Sequence, residues 1–267
     1  MNVYCNLTHN YPEDPIKYLE FEKYKSLSDK IDLFYGASQH NEIHNPSNNK
    51  KILFATEEQI DENDVNYHVA DINLLEDKVD EILSISPLCY KKPKRRYVFF
   101  PFNDEYEPIN KTKIYDVIYT GYSPLPHVNH IINTISEIEN HRIVSFNHPK
   151  ATNKDVTYQE KLQLVANSKI SIVHNLISDS IPQLKTRPFE AAFCKSLIIC
   201  KYDKFKTLEK WFTPNEDFIY YYEDSELKKI LNDVLINYND YEPMIEKAYI
   251  KSKENYTTKH FVEKYLQ

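Results

Sequence analysis

The sequence predicts an α/β protein of two Rossmann-like lobes, the N-terminal one short, and three observations carry that reading. Short apolar runs alternate with helix-like segments along the 267 residues, the pattern of parallel strands joined by crossover helices. The run from Leu197 to Cys200 is apolar throughout, so it reads as a strand buried on both faces with a helix packed on the sheet before it. A charged stretch with a proline, residues 103–113, has linker composition and divides the chain into units over 1–110 and 113–267.

The first unit reads as a strand from Val3 to Asn6, a helix from Ile16 to Leu27, and a strand from Ile31 to Tyr35 ending at Gly36. Further strands follow at Ile52 to Ala55, His68 to Ala70, Ile82 to Ile85 and Tyr97 to Phe100. The second unit opens with Tyr115-Asp-Val-Ile-Tyr-Thr-Gly121, a strand running into a turn, then an amphipathic helix from Val128 to Glu139 and a strand from Arg142 to Phe146. Thr157 and Glu160 spell a capping box for a helix through Ser168, and Ile170 to Val173 is a buried strand. In the stretch Lys185 to Asp203, Thr186 is placed to cap a short helix with Pro188 in its first turn. Phe218 to Tyr222 is the last strand, and helices run from Ser225 to the segment Thr257 to Leu266.

Composition excludes several functions. With 41% hydrophobic and 13% aromatic residues the chain can bury a sizeable core, and a formal charge of −7 argues against generic nucleic-acid binding. Only two glycines occur, Gly36 and Gly121, against an average near 7%, so no glycine-rich phosphate loop or dinucleotide fingerprint can be written. The four cysteines form no Cys-x-x-Cys pair and read as free thiols. His40 with His44 and His127 with His130 lack a third ligand nearby, so neither a metal nor another cofactor is expected. No stretch has the length of a transmembrane helix, and Met1-Asn-Val-Tyr-Cys lacks a basic segment followed by an apolar one; a cytoplasmic protein is expected.

Several pieces of the second unit stand in a meaningful order: Tyr115 to Gly121, Tyr158-Gln-Glu-Lys-Leu, Ser168-Lys-Ile-Ser-Ile-Val, Arg187-Pro-Phe-Glu-Ala-Ala before Leu197-Ile-Ile, and Asn255-Tyr-Thr-Thr-Lys-His-Phe. In this order they resemble the C-terminal nucleotide-sugar-binding lobe of GT-B glycosyltransferases, particularly those similar to spore-maturation glycosyltransferase-like proteins. The likeness covers about residues 113–267. In the first unit, Val79 to Ser86 followed by Tyr97 to Phe102 looks like the end of an acceptor-side lobe. Relatives carry two glutamates eight positions apart; Glu190 matches the second, and the first falls on Pro182. Where relatives often have Gly after the Ala pair, this chain has Lys195.

The resemblance implies a metal-independent transfer of sugar from a UDP-, GDP- or ADP-linked donor to a glycan or other hydroxyl acceptor. It assigns the donor ribose to Glu190 and the diphosphate to Arg187, which neutralises the leaving group as its charge develops. Read from the residues alone, Arg187 and Glu190 lie three apart on one helix face and make a surface ion pair. Gly121 with Tyr122 and Ser123, His174 with Asn175 at the end of a predicted strand, and Thr186 complete the expected donor site. An inverting course needs a base, for which His9, Asp14, Glu57, Glu58 and His68 are candidates. The run Lys91-Lys-Pro-Lys-Arg-Arg96 reads as a solvated loop, with a nuclear-localisation or nucleic-acid patch as the alternative. Two other functions stay open: a degenerate nucleotide-sugar-binding or scaffold protein, and a fucosyltransferase-like enzyme using GDP-fucose.

Overall fold

A computed structural model describes residues 1–7, 11–28, 30–36, 40–67, 72–121, 126–145 and 148–267, with backbone alone at 126 and 127. The first sheet contains β1 (Asn2–Asn6), β2 (Ile31–Gly36), β3 (Lys50–Ala55), β4 (Glu81–Ser84) and β5 (Arg95–Tyr97), all parallel and side by side in chain order. Its inner strands are apolar on both faces, as a covered parallel sheet requires. Gly36 ends β2 at φ +90°, where a Cβ would lie 2.0 Å from the Asn6 carbonyl oxygen. Glycine there lets β1 and β2 stay paired to their last residues, Asn6 and Gly36.

The second sheet is built by β6 (Tyr115–Thr120), α1 (Pro126–Ile135), β7 (His141–Val144), α2 (Tyr158–Ala166) and β8 (Ser168–Val173). An antiparallel ribbon of β9 (Leu176–Ser178) and β10 (Ile181–Pro182) follows, then α3 (Arg187–Phe193), β11 (Leu197–Lys201) and β12 (Ile219–Tyr221). The parallel order is β12-β11-β8-β6-β7. The chain reverses direction between β6 and β8, and that switch point is where open α/β sheets bind ligands. Helices α4 (Leu227–Ile236), α5 (Glu242–Asn255) and α6 (Thr258–Tyr265) close the chain. Among the described residues no helix is long and apolar enough to cross a membrane.

Most expected elements form, including the capping box of α2, in which the Thr157 hydroxyl accepts from the Glu160 amide and Glu160 accepts from the Thr157 amide. The expected helix from Ile16 to Leu27 is instead two 3-10 segments, Pro15–Tyr18 and Phe21–Leu27, broken at Glu20 with φ 51°. Phe21 explains the break: it is fully buried against Tyr35, Phe54 and Phe261, and seating it overrides the helical period. The strand expected over Tyr97 to Phe100 forms earlier, at Arg95–Tyr97, and beyond it only the Val98 amide still bonds to β4, at the Ser84 carbonyl, 2.9 Å, before Phe99 and Phe100 turn into the core. The strand expected over His68 to Ala70 lies outside the described residues, as does Phe146 at the end of the one from Arg142. Thr186 precedes α3 but its side chain makes no capping bond, because its own backbone is already helical at φ −67° and ψ −30°. The ribbon was not foreseen.

The C-terminus of α3 shows how the chain manages without glycine. Lys195 takes the left-handed conformation at φ 55°, and the amides of Lys195 and Ser196 return to Ala192 and Ala191. Ion pairing with Glu246 and contact with the Tyr249 ring at 4.4 Å hold the lysine in this position.

One apolar cluster joins both sheets. Phe261 of α6 lies 4.7 Å from Phe54 of the first sheet and 5.4 Å from Phe99, which in turn lies 6.3 Å from Phe189 of α3 (ring centroids). The last helix therefore packs on the first sheet. Because Phe261 is fully buried, Phe261→Ala should cost about 3–5 kcal/mol. Denaturant unfolding followed by circular dichroism and by Trp211 fluorescence should still give coincident transitions; two separated transitions would show independent cores.

Candidate functional site

Residues just beyond the strand ends of both sheets line a cleft of about 220 Å³. The first unit contributes Asp14, Thr56 and Glu57, and the second contributes Lys185, Thr186 and Arg187. Main-chain bonds join the units: the Leu184 amide to the Ile85 carbonyl at 2.9 Å, beside the cleft, and the Glu62 amide to the Ser180 carbonyl at 3.0 Å, away from it.

Arg187 opens α3 and lays its guanidinium across the end of β6, donating to the Thr120 carbonyl at 2.9 Å and to the Tyr119 hydroxyl at 3.1 Å. Gly121 makes room for it. At φ +129° glycine is the natural residue, and a Cβ there would lie 2.8 Å from Arg187 Nη1. Tyr119 passes the hydrogen-bond chain on to His174 Nε2 at 3.1 Å, and His174 Nδ1 faces the Leu176 carbonyl at 3.1 Å. A carbonyl only accepts, so Nδ1 carries the proton and Nε2 can accept from Tyr119. His174 is thus a buried link that fixes the tyrosine.

Glu190 does not pair with Arg187. Its carboxylate accepts from Lys161 Nζ of α2 at 3.0 Å, both side chains at least 95% buried, and from the Tyr158 hydroxyl. Burial, and then the adjacent Glu190 carboxylate, push the Tyr158 hydroxyl well above its ordinary value. The space between Arg187 and Glu190 is about 10 Å³, room for one water at most, so a larger group reaches Glu190 only if side chains move. Lys161 carries a signal in the sequence: with Tyr158, Leu162 and Val165 it sits on the core-facing stripe of α2, where an unpaired lysine is untenable.

The cleft is electrically mixed. Burial, reinforced by neighbouring Arg187, holds the Lys185 ammonium well below its usual range, against the opposing effect of Glu57. Burial raises the Asp14 carboxyl, against the pull of the Ile16 amide and Lys161. Among the base candidates, Asp14 and Glu57 therefore face the cleft. Glu58 is fully buried, clamped by Arg95 at 2.6 Å and by Ser84, while His9 and His68 lie outside the described residues. The basic run lies mostly at the surface, as a solvated loop would: Lys91 and Lys92 bond the Glu62 and Asp64 carbonyls and Arg96 lies over the Tyr265 ring, while Arg95 alone is buried, bonding Glu58 and Glu76. Of the expected donor residues, Gly121, His174, Thr186 and Arg187 come together. Asn175 is fully buried behind them, its carbonyl accepting from the Gln183 amide; Tyr122 and Ser123 lie outside the described residues.

Residues 129–267, just over half of the chain, match the protein family described as glycosyl transferase-like. Among solved structures the chain is similar to TarM, with TM-score 0.63 and 12% identity over 92% of this chain and 56% of that one. TarM of S. aureus is also known in complex with UDP. Anabaena HepE in complex with UDP-glucose gives TM-score 0.67 at 8% identity, covering 98% and 96% of the two chains. Sucrose-phosphate synthase from Thermosynechococcus elongatus gives 0.61 at 9%, covering 95% and 77%. The chain thus spans little more than half the length of TarM, and at these identities the likeness is one of fold, the GT-B arrangement of two Rossmann-like sheets. No curated protein sequence matches it.

Two outcomes follow from this geometry. Lys161→Met strands a buried carboxylate and should cost about 3–5 kcal/mol, with most of it recovered in the double variant Lys161→Met with Glu190→Gln; urea titrations of the three proteins measure both. Lys185 has a folded-state pKa below its unfolded one, so between those values the unfolded chain holds the extra proton and stability rises with pH. Comparing denaturation at about pH 7 and pH 9.5, Lys185→Met should flatten that rise; an unchanged slope would place the lysine in water.

Proposed function

The chain belongs to the glycosyl transferase-like family, and from that premise we propose that it moves a sugar from a nucleotide-sugar donor to an acceptor hydroxyl, with a UDP-linked donor the first to test. The observation that carries the proposal is Arg187, held against Gly121 at the switch point of the second sheet and lining the cleft beside Lys185. In the reaction the bond from the anomeric carbon to the diphosphate breaks, and a bond to the acceptor oxygen forms. The leaving diphosphate gains negative charge, which Arg187 neutralises, and Lys185, whose charge burial disfavours in the free protein, regains its proton as the anion arrives. Gly121 makes room for the guanidinium that meets the phosphates. Asp14, whose raised pKa makes its ionised carboxylate the stronger base, lies across the cleft to take the acceptor's proton, with Glu57 beside it. Glu190 serves the ribose once a bound nucleotide draws it away from Lys161.

A second reading, nucleotide-sugar binding without transfer, draws support from that same Lys161–Glu190 pair and from Pro182 at the position of the first family glutamate. Release of free sugar or of a glycosylated acceptor from UDP-glucose, GDP-mannose or ADP-glucose separates the two.

Calorimetry with UDP, GDP and ADP is the first experiment. At least one should bind, and Arg187→Ala should weaken it tenfold to a hundredfold, about 1.5–3 kcal/mol for hydrogen bonds to a charged group. Absence of binding by all three would refute the proposal.

A further inference from the structure

The fold spends only part of the donor capacity of Arg187. Both hydrogens of Nη1 are used inside the protein, one on the Thr120 carbonyl at 2.9 Å and one on the Tyr119 hydroxyl at 3.1 Å. Among the described residues, Nε and Nη2 meet no acceptor. Those two nitrogens form the side-on fork of a guanidinium, the edge that takes two phosphate oxygens at once. Because Arg187 lines the cleft, the Nη1 contacts decide where that fork sits.

The two contacts differ in kind. The Thr120 carbonyl is main chain and fixed at the end of β6, whereas the Tyr119 contact depends on how one hydroxyl is turned. A hydroxyl that aimed its hydrogen at the guanidinium could not accept from it. His174 removes that freedom. With Nδ1–H on the Leu176 carbonyl, its Nε2 takes the hydroxyl hydrogen at 3.1 Å and leaves the oxygen lone pair for Arg187. Tyr119 is fully buried, His174 nearly so, and their rings lie 7° from parallel. Burial pushes the Tyr119 hydroxyl above its ordinary value, against the pull of Arg187, so the hydrogen that this arrangement needs stays on the oxygen. Neither residue lines the cleft that Arg187 faces.

On the reading that places a diphosphate at Arg187, we propose that Tyr119 and His174 are positioning residues for nucleotide binding: His174 orients the Tyr119 hydroxyl, the hydroxyl holds Nη1, and the Nε–Nη2 fork is thereby aimed at the phosphates. His174 serves the donor through two side chains and does not touch it. Leu176 opens the β9–β10 ribbon, so the relay also ties the ribbon to the site.

Calorimetry on the full chain with UDP and uridine (or the GDP or ADP pair, should one of those bind more tightly), with NMR titration of the weaker complexes, tests the relay. Tyr119→Phe and His174→Leu should each weaken UDP about threefold to tenfold, the effect of one hydrogen bond, and the double variant should be no worse than the worse single one. His174→Gln, whose side-chain carbonyl can accept in place of Nε2, should recover most of the loss. Uridine lacks the phosphates, so it should bind the variants as it binds wild type. In an Arg187→Ala background, Tyr119→Phe and His174→Leu should change UDP affinity by less than about twofold, because the group they act through is gone. Wild-type affinity for UDP in both single variants, an equal loss for uridine, or full losses persisting in the Arg187→Ala background would overturn the relay. Failure of UDP, GDP and ADP to bind wild type would instead remove the donor reading on which it rests.

Discussion

The aromatic packing that joins the two sheets sets the terms for everything else in this molecule. Phe21, Phe54, Phe99, Phe189 and Phe261 belong to one continuous apolar cluster, so the first sheet completes its core only with side chains from α3 and α6. The short 3-10 crossovers of the first unit cover one face of its sheet, and the other face completes its core against the second unit. Sharing a core stabilises the first unit, and it also fixes the strand ends of one sheet opposite those of the other. The cleft is a product of that constraint, and main-chain bonds at Leu184 and Glu62 also join the units.

The side chains of the site show how charge is handled without glycine-rich loops. Arg187 reaches the end of β6 only because Gly121 lacks a side chain, and Tyr119 and His174 hold it from beneath. A cation fixed in this way costs no reorganisation when a diphosphate arrives. Glu190 is handled differently, since Lys161 and Tyr158 satisfy it inside the protein. Under the proposed function, ribose hydroxyls replace that lysine and exchange one set of hydrogen bonds for another.

Much of the second unit was legible because local signals agreed with tertiary demands: the capping box at Thr157, the fully apolar run at Leu197 and the strand ending at Gly121 all form where their chemistry places them. The first unit was less legible. Its strands have clear patterns, but its crossovers are dictated by single anchors such as Phe21, which leave no period to read. At the site, Arg187 and Gly121 could be singled out, yet their direct apposition depends on a backbone path that spacing does not encode. The pairing of Glu190 with Lys161 instead of Arg187 spans 29 positions. The misplaced-looking lysine on the apolar stripe of α2 was its only local trace. Within the basic run, which otherwise lies at the surface, Arg95 alone turns inward, its side chain buried against Glu58.

The central claim is that a nucleoside diphosphate occupies the cleft between the sheets with its phosphates on Arg187. Hydrogen exchange of the full chain with and without saturating UDP tests it most directly. The account predicts slowed exchange on both walls, in the segments around Asp14 and Glu57 and in those around Gly121 and Arg187. Slowing confined to the distant lysine-rich face around Lys113 and Lys195, with the cleft unchanged, would contradict it.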